Sequence, residues 1–177
     1  KVNDLKIQQA DQFITHKAKR ETSVAIVKPD DLVVGITGEG QTRGRVAICA
    51  IEATINQHLA CISVVSLEKV NPLFLYYYLV NSYQRLRDES DGGGATKGAI
   101  TCVQLHKFPL LSPSLSEQNA ICDFLNEALS KLDSLLDEAQ HLILLFRERK
   151  ASLISHAVTG KIDVRNWQSA SKEKSHA

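Results

Sequence analysis

Arg43 and Arg45, set among Gly38, Gly40 and Gly44, are the first residues whose type and spacing suggest chemistry. A guanidinium carries paired donors that match the acceptor edge of guanine, and glycine neighbours let an arginine at a hairpin tip enter a groove without obstruction. Thr96 and Lys97, directly after Gly92, Gly93 and Gly94, form a second group, and Lys17, Lys19 and Arg20 near the start form a third. Lysine, threonine and backbone amides hold phosphates more often than bases. Together these are the candidate DNA contacts, with a solvated surface charge as the plain alternative for any one of them. Asn56 and Gln57 read as supports of the fold, on a strand that looks half buried.

Other chemistries lack their residues. The stretch GGGATKG at 92–98 has no GK[ST] ending and does not lead directly into a helix, which argues against nucleotide binding. There is no GxSxG elbow, no HExxH, no dinucleotide fingerprint and no aromatic-flanked motif of the kind that positions a base for methylation. No catalytic residue and no cofactor are assigned. The four cysteines, 49, 61, 102 and 122, contain no CxxC pair and no nearby histidine cluster, so they read as small buried thiols in a reducing cytoplasm rather than metal ligands. The formal net charge of +1 gives no overall basic excess, so any DNA contact rests on local patches. No apolar run approaches the ~20 residues that span a bilayer, and no signal peptide is read. The chain has no methionine and starts at Lys1, which reads as a fragment.

The elements that must position these groups form an α+β chain. Residues 23–27, 32–37, 45–51 and 55–65 are rich in Val, Ile and Thr and are separated by Pro29-Asp30-Asp31 and by the glycine-bearing 38–44. They predict a mixed or antiparallel, barrel-like sheet. Residues 8–15, with Ala10, Phe13 and Ile14 inward, suggest a short helix before it. Asn71-Pro72 opens another, since Asn caps free amides and proline suits the first helical position. Leu75, Leu79, Tyr83 and Leu86 follow at helical spacing, 91–94 ends the element, and 100–111 reads as a strand.

The clearest signal comes last. Ser114-Leu115-Ser116-Glu117 has the form of a capping box. After it Ile121, Leu125, Ala128, Leu132, Leu135, Ala139, Leu142, Phe146 and Leu153 recur at alternating intervals of four and three, with Arg149 at one seam position. Leu129, Leu136 and Ile143 widen this seam beyond what a two-stranded coil needs, and Gly160 is placed to stop the helix. A rod of roughly 40 residues would be about 60 Å long, more than the width of a domain this size. Its stripe therefore predicts a partner helix, from a second copy or a related half, in preference to packing on its own sheet. The organisation expected is a target-recognition sheet domain at 1–113, a spacer or dimerisation helix at 114–160 and a C-terminal tail at 161–177 that is polar from Ser169 on.

Residues 31–45, DLVVGITGEGQTRGR, and Ile55-Asn56-Gln57 resemble the central part of a Type I target-recognition domain. PSLSEQ at 113–118, with Ile121 and Leu125, is similar to the entry into that family's spacer helix. Glu148-Arg149-Lys150, Leu153-Ile154 and AVTGKID at 157–163 resemble its exit. The resemblance covers about residues 24–167. It implies the specificity (S) subunit of a restriction-modification system, which has no catalysis of its own, reads half of a bipartite target in double-stranded DNA and holds methyltransferase subunits, while restriction subunits dock on that complex. S-adenosylmethionine and ATP are implied for those partners only. An intact subunit has two recognition domains separated by two antiparallel helices, so this chain matches one half, either of a longer protein or of a half-length subunit that dimerises. The family's recognition domain usually begins further upstream than Lys1. The competing reading is an adaptor whose coiled coil oligomerises and whose sheet binds a protein.

Overall fold

Along β-strands successive side chains face opposite ways, and here both directions are used to bury apolar residues. The computed structural model describes residues 2, 5–38, 40–91 and 98–168. Its elements run β1 (Lys6–Ile7), α1 (His16–Glu21), β2 (Ile26–Val27), β3 (Leu32–Gly35), β4 (Val46–Cys49), β5 (Ala53–Thr54), β6 (Leu59–Ile62), α2 (Pro72–Asn81), α3 (Tyr83–Asp91), α4 (Cys102–Lys107) and α5 (Leu115–Val158). One sheet has the order β1-β4-β3-β6, with β1 parallel to β4 and the other neighbours antiparallel, and β2 and β5 form a separate antiparallel pair. Leu32 faces Ile48 and Val34 faces Val46 across the β3–β4 ladder. These side chains join Leu75, Leu79, Leu86, Ile100 and Phe108 in one core cluster. The intervening Val33, Ala47 and Cys49 join Val2 and Val27 in a second.

Among the described residues neither sheet closes, so the expected barrel-like sheet is in fact open. The reason lies in the covering layers: helices take one face and the β2–β5 side takes the other, so both faces are buried without closure. Three further expectations change. Residues 8–15 are not a helix, and Phe13 is 88% exposed. The helix starts instead at His16, because the Thr15 hydroxyl accepts a hydrogen bond from the amide of Ala18 at 3.1 Å. The stretch 55–65 is interrupted by a turn in which the Asn56 side chain accepts from the His58 amide at 3.1 Å, which leaves Asn56 and Gln57 on an exposed turn rather than a half-buried strand. In 100–111 only Ile100 is tied to β3's end, its amide donating to the Ile36 carbonyl, and Cys102–Lys107 is α4. Thr101 and Gln104 make a reciprocal capping box there, and satisfying two open amides outweighs the strand preference of Ile100, Thr101 and Val103.

Elsewhere the local signals hold. Asn71 caps α2 by accepting from Leu73 and Phe74 amides, with Pro72 at its first turn. Helix α2 breaks at Ser82 before α3, yet Leu75, Leu79 and Leu86 all stay buried. Helix α5 is a single run of 44 residues, started by Ser114, whose hydroxyl accepts from the Glu117 amide at 3.3 Å. Gly160, at φ +74°, follows its end.

Two compact units divide the chain, Lys1–Phe124 and Leu125–Ala177, so the first turns of α5 belong with the sheet. Gln118 shows why. It is 1% exposed, its carboxamide oxygen accepts from the Asn71 amide at 2.9 Å, and its nitrogen donates to the Lys69 and Pro113 carbonyls, each at 2.9 Å. Asn119 adds an acceptor for the Asn71 side chain at 2.8 Å. The division between the two units thus falls within α5, about three helical turns past its start.

Candidate nucleic-acid interface

The residues between β3 and β4 carry Arg43 and Arg45, and short contacts set the path of their backbone. At the base, the Gly35 amide donates to the Arg45 carbonyl at 2.9 Å and the Gly44 amide to the Gly35 carbonyl at 2.7 Å. Gly35 must be glycine, because a Cβ there would lie 2.3 Å from the Thr42 carbonyl oxygen. Gly44 sits at φ +86° with Tyr83 and Arg87 against it. Arg87 of α3 donates from Nη1 to the Gly40 carbonyl at 2.8 Å and the Arg43 carbonyl at 3.0 Å. The Tyr83 hydroxyl donates to the Gln41 carbonyl at 3.0 Å, and the Arg87 guanidinium lies over the Tyr83 ring.

This packing overturns one expectation. Arg43 does not project from a hairpin tip; it is 5% exposed, because the loop is drawn down onto α3 by its own carbonyl groups. What faces outward is exposed Gln41 and half-buried Arg45, joined by a hydrogen bond of 2.8 Å from Arg45 Nη2 to Gln41 Oε1. Gln41, Tyr83 and Arg87 were not singled out as site residues from sequence. Gln41 stands in the stretch 31–45 that carries the family resemblance and Tyr83 in an inward helical stripe, but a contact spanning some 45 positions has no local signature.

Lys17, Lys19 and Arg20 are exposed on α1, where Lys17 pairs with Glu21 at 3.9 Å and Lys19 with Glu52 at 3.5 Å. Thr96 and Lys97, with the triple glycine before them, lie outside the described residues. Cysteine chemistry is muted: burial pushes the thiols of Cys49, Cys61 and Cys122 up, so they are protonated near neutral pH, whereas Cys102 is exposed, against the expectation of four buried thiols. Among the described residues no group of three or more His, Cys, Asp or Glu is placed to hold a metal ion, and no helix is long and apolar enough to cross a membrane.

In the second unit the seam stands in the open. Leu132, Leu135, Leu142, Phe146 and Leu153 are 55%, 60%, 51%, 69% and 42% exposed, and Ala139 is exposed with them. Further up α5, in the first unit and at the division, Ile121 and Leu125 are half-buried, as is Ala128 just beyond. Leu129, Leu136 and Ile143 are exposed as well, so the apolar band is wide.

Residues 3–141 match the model of the type I restriction modification DNA specificity domain. The chain belongs to this family. The MjaX type I restriction enzyme specificity subunit of Methanocaldococcus jannaschii is 30% identical over 140 residues, which are 79% of this chain and 31% of that protein. The chain thus spans about a third of the length of that curated relative. A solved structure described as the basis of complex assembly and conformational transition in a type I R-M system superposes with a TM-score of 0.61 at 19% identity, covering 75% of this chain and 31% of the other. That likeness is one of fold. None of these matches favours the adaptor reading.

Proposed function

We propose that this chain is the DNA-reading part of a type I restriction-modification specificity subunit. It recognises one half of a bipartite double-stranded target, and its helix pairs with a second helix to set the distance to another reader. Methyltransferase subunits seat on that scaffold and restriction subunits join through them. Methyl transfer and cleavage then belong to those partners, with S-adenosylmethionine and ATP bound there, and the chain contributes specificity without catalysis. The observation that carries this reading is the family match itself, which runs from residue 3 through the sheet unit and into α5 at residue 141.

The physical division of labour follows from the chain's two kinds of surface. The first unit buries its own apolar residues and offers polar loops. The second offers an apolar stripe that water covers at a cost, so a helix of matching pattern is the natural occupant. With a net charge of only +1, much of the phosphate neutralisation falls to partner subunits.

The test is selection from a randomised double-stranded DNA pool by the full protein assembled with its methyltransferase subunits. A two-part sequence should be enriched, and its affinity should fall steeply between about 50 and 200 mM salt. Enrichment of no sequence by the assembled complex would contradict the proposal.

A further inference from the structure

We infer that Gln57, on the turn between β5 and β6, reads the mixed donor and acceptor edge of an adenine in the major groove, and that His58 and Thr37 are positioning residues for its carboxamide. The inference rests on the proposed DNA-reading function and names a residue that performs it. Gln57 and His58 are exposed and Thr37 is half-buried. The His58 ring joins the other two: its Nδ1 lies 2.8 Å from Thr37 Oγ1 and its Nε2 lies 3.4 Å from Gln57 Nε2. A carboxamide has two N–H donors and an oxygen with two lone pairs. Turned either way towards His58, it commits one of these four and keeps both a donor and an acceptor for a partner. Adenine shows the matching pair, the N6 amino donor beside the N7 acceptor, which a glutamine meets with two hydrogen bonds.

A phosphate offers acceptors only, so it would use the N–H of this group and leave its oxygen without a partner. The mounting points the same way, because base reading needs donors and acceptors set in place before the DNA arrives. The backbone is fixed on both sides of Gln57. The Ile55 amide donates to the Ala25 carbonyl at 3.1 Å, and across the turn the Leu59 amide donates to the Asn56 carbonyl at 3.1 Å. The Asn56 side chain accepts from the His58 amide at 3.1 Å, and the His58 carbonyl accepts from the Ile36 amide at 2.9 Å. That last bond sets the turn beside Thr37. Gly35, opposite Leu59 in the β3–β6 ladder, also donates to the Arg45 carbonyl at 2.9 Å. The turn and the residues between β3 and β4 therefore emerge at one end of the sheet, and a duplex laid across that end meets both.

The experiment uses the full protein with its methyltransferase subunits and the same randomised duplex pool, comparing the wild type with Q57A, Q57E, H58A, T37V and T37S. Q57A should lose about tenfold in preference for adenine at one position of the enriched half-site, with other positions retained. Q57E, which keeps the shape but only accepts, should lose the same preference and tilt that position towards cytosine, whose N4 amino group donates. H58A and T37V should relax the same position about threefold, while T37S, which keeps the hydroxyl, should retain it. A purely structural role for His58 and Thr37 would lower the fraction of active protein while leaving the ratio between bases unchanged, and that result would overturn the positioning claim. Q57A that leaves selection unchanged, or weakens every sequence equally, would overturn base reading, the second outcome in favour of a phosphate contact. So would a wild-type half-site with no position that prefers adenine. A wild-type complex that enriches nothing would instead remove the DNA-reading function itself and this inference with it, so the two failures are distinguishable.

Discussion

Leu32 and Leu135 are the same residue in opposite surroundings, the first fully buried in β3 and the second 60% exposed on α5. The contrast extends to their units. Every buried hydrophobic among the described residues lies at or before Cys122, while leucines from 129 onward are open to solvent. Strand alternation in the first unit divides a short sheet between two cores, so its stability is internal. The second unit repeats leucine at heptad spacing without covering it. A helix with that pattern has a stripe that specifies pairing, and its stabilisation comes from whatever covers it. The difference teaches that one chain can carry a unit with its own core and a helix that leaves its leucines open, each recognisable by where its leucines end up.

The comparison can be broken most sharply by truncating the two leucines in turn. L32A should destabilise the first unit by about 3 kcal/mol, as for other fully buried leucines, and lower its denaturation midpoint. L135A should leave that midpoint unchanged within about 0.5 kcal/mol while weakening association measured by sedimentation. Equal effects of the two on chemical denaturation would mean that the stripe is already covered within the chain. Next in size is Q118L, which removes the partner of one amide and two carbonyls and should cost about 2 kcal/mol by the same denaturation assay. An unchanged midpoint would show that the carboxamide does not tie α5's first turns to the sheet unit. The smallest effect sharpens the boundary. At pH 7, thiol labelling should modify exposed Cys102 first and buried Cys49 and Cys122 slowly, with no loss of fold on the first modification. Labelling of Cys122 as fast as Cys102 would mean that α5's start is loose.

Much of this division was legible in the sequence because its causes are local. The β-branched enrichment around Leu32–Gly35 and Val46–Cys49, the Asn71-Pro72 cap, Ser114 at the start of α5 and Gly160 after its end each depend on neighbouring residues, and each is found. The family resemblance drawn from 31–45 and from the helix entry agrees with the family match, which ends at residue 141, before the exit motifs. At 8–15 and at 100–111 capping overrides the apolar pattern: Thr15 and Thr101 decide where those helices begin. Arg43 was misplaced for a different reason. The carbonyls of its loop are held by Tyr83 and Arg87, which are remote in sequence, and nothing around Gly44 announces them. Gln118 lies between these cases, since the Glu117-Gln118 pair was noticed as part of a motif, but its bonds to Lys69 and Asn71 required the fold.

On the proposed function, another helix covers the stripe on α5 and so fixes two DNA readers at a set separation. Inserting seven residues between Asp133 and Gln140 preserves the heptad register and lengthens the rod by about 10 Å, the rise of roughly three base pairs. DNA selection with the assembled complex should then return the same half-sites with a changed gap between them. Unchanged spacing would contradict the account.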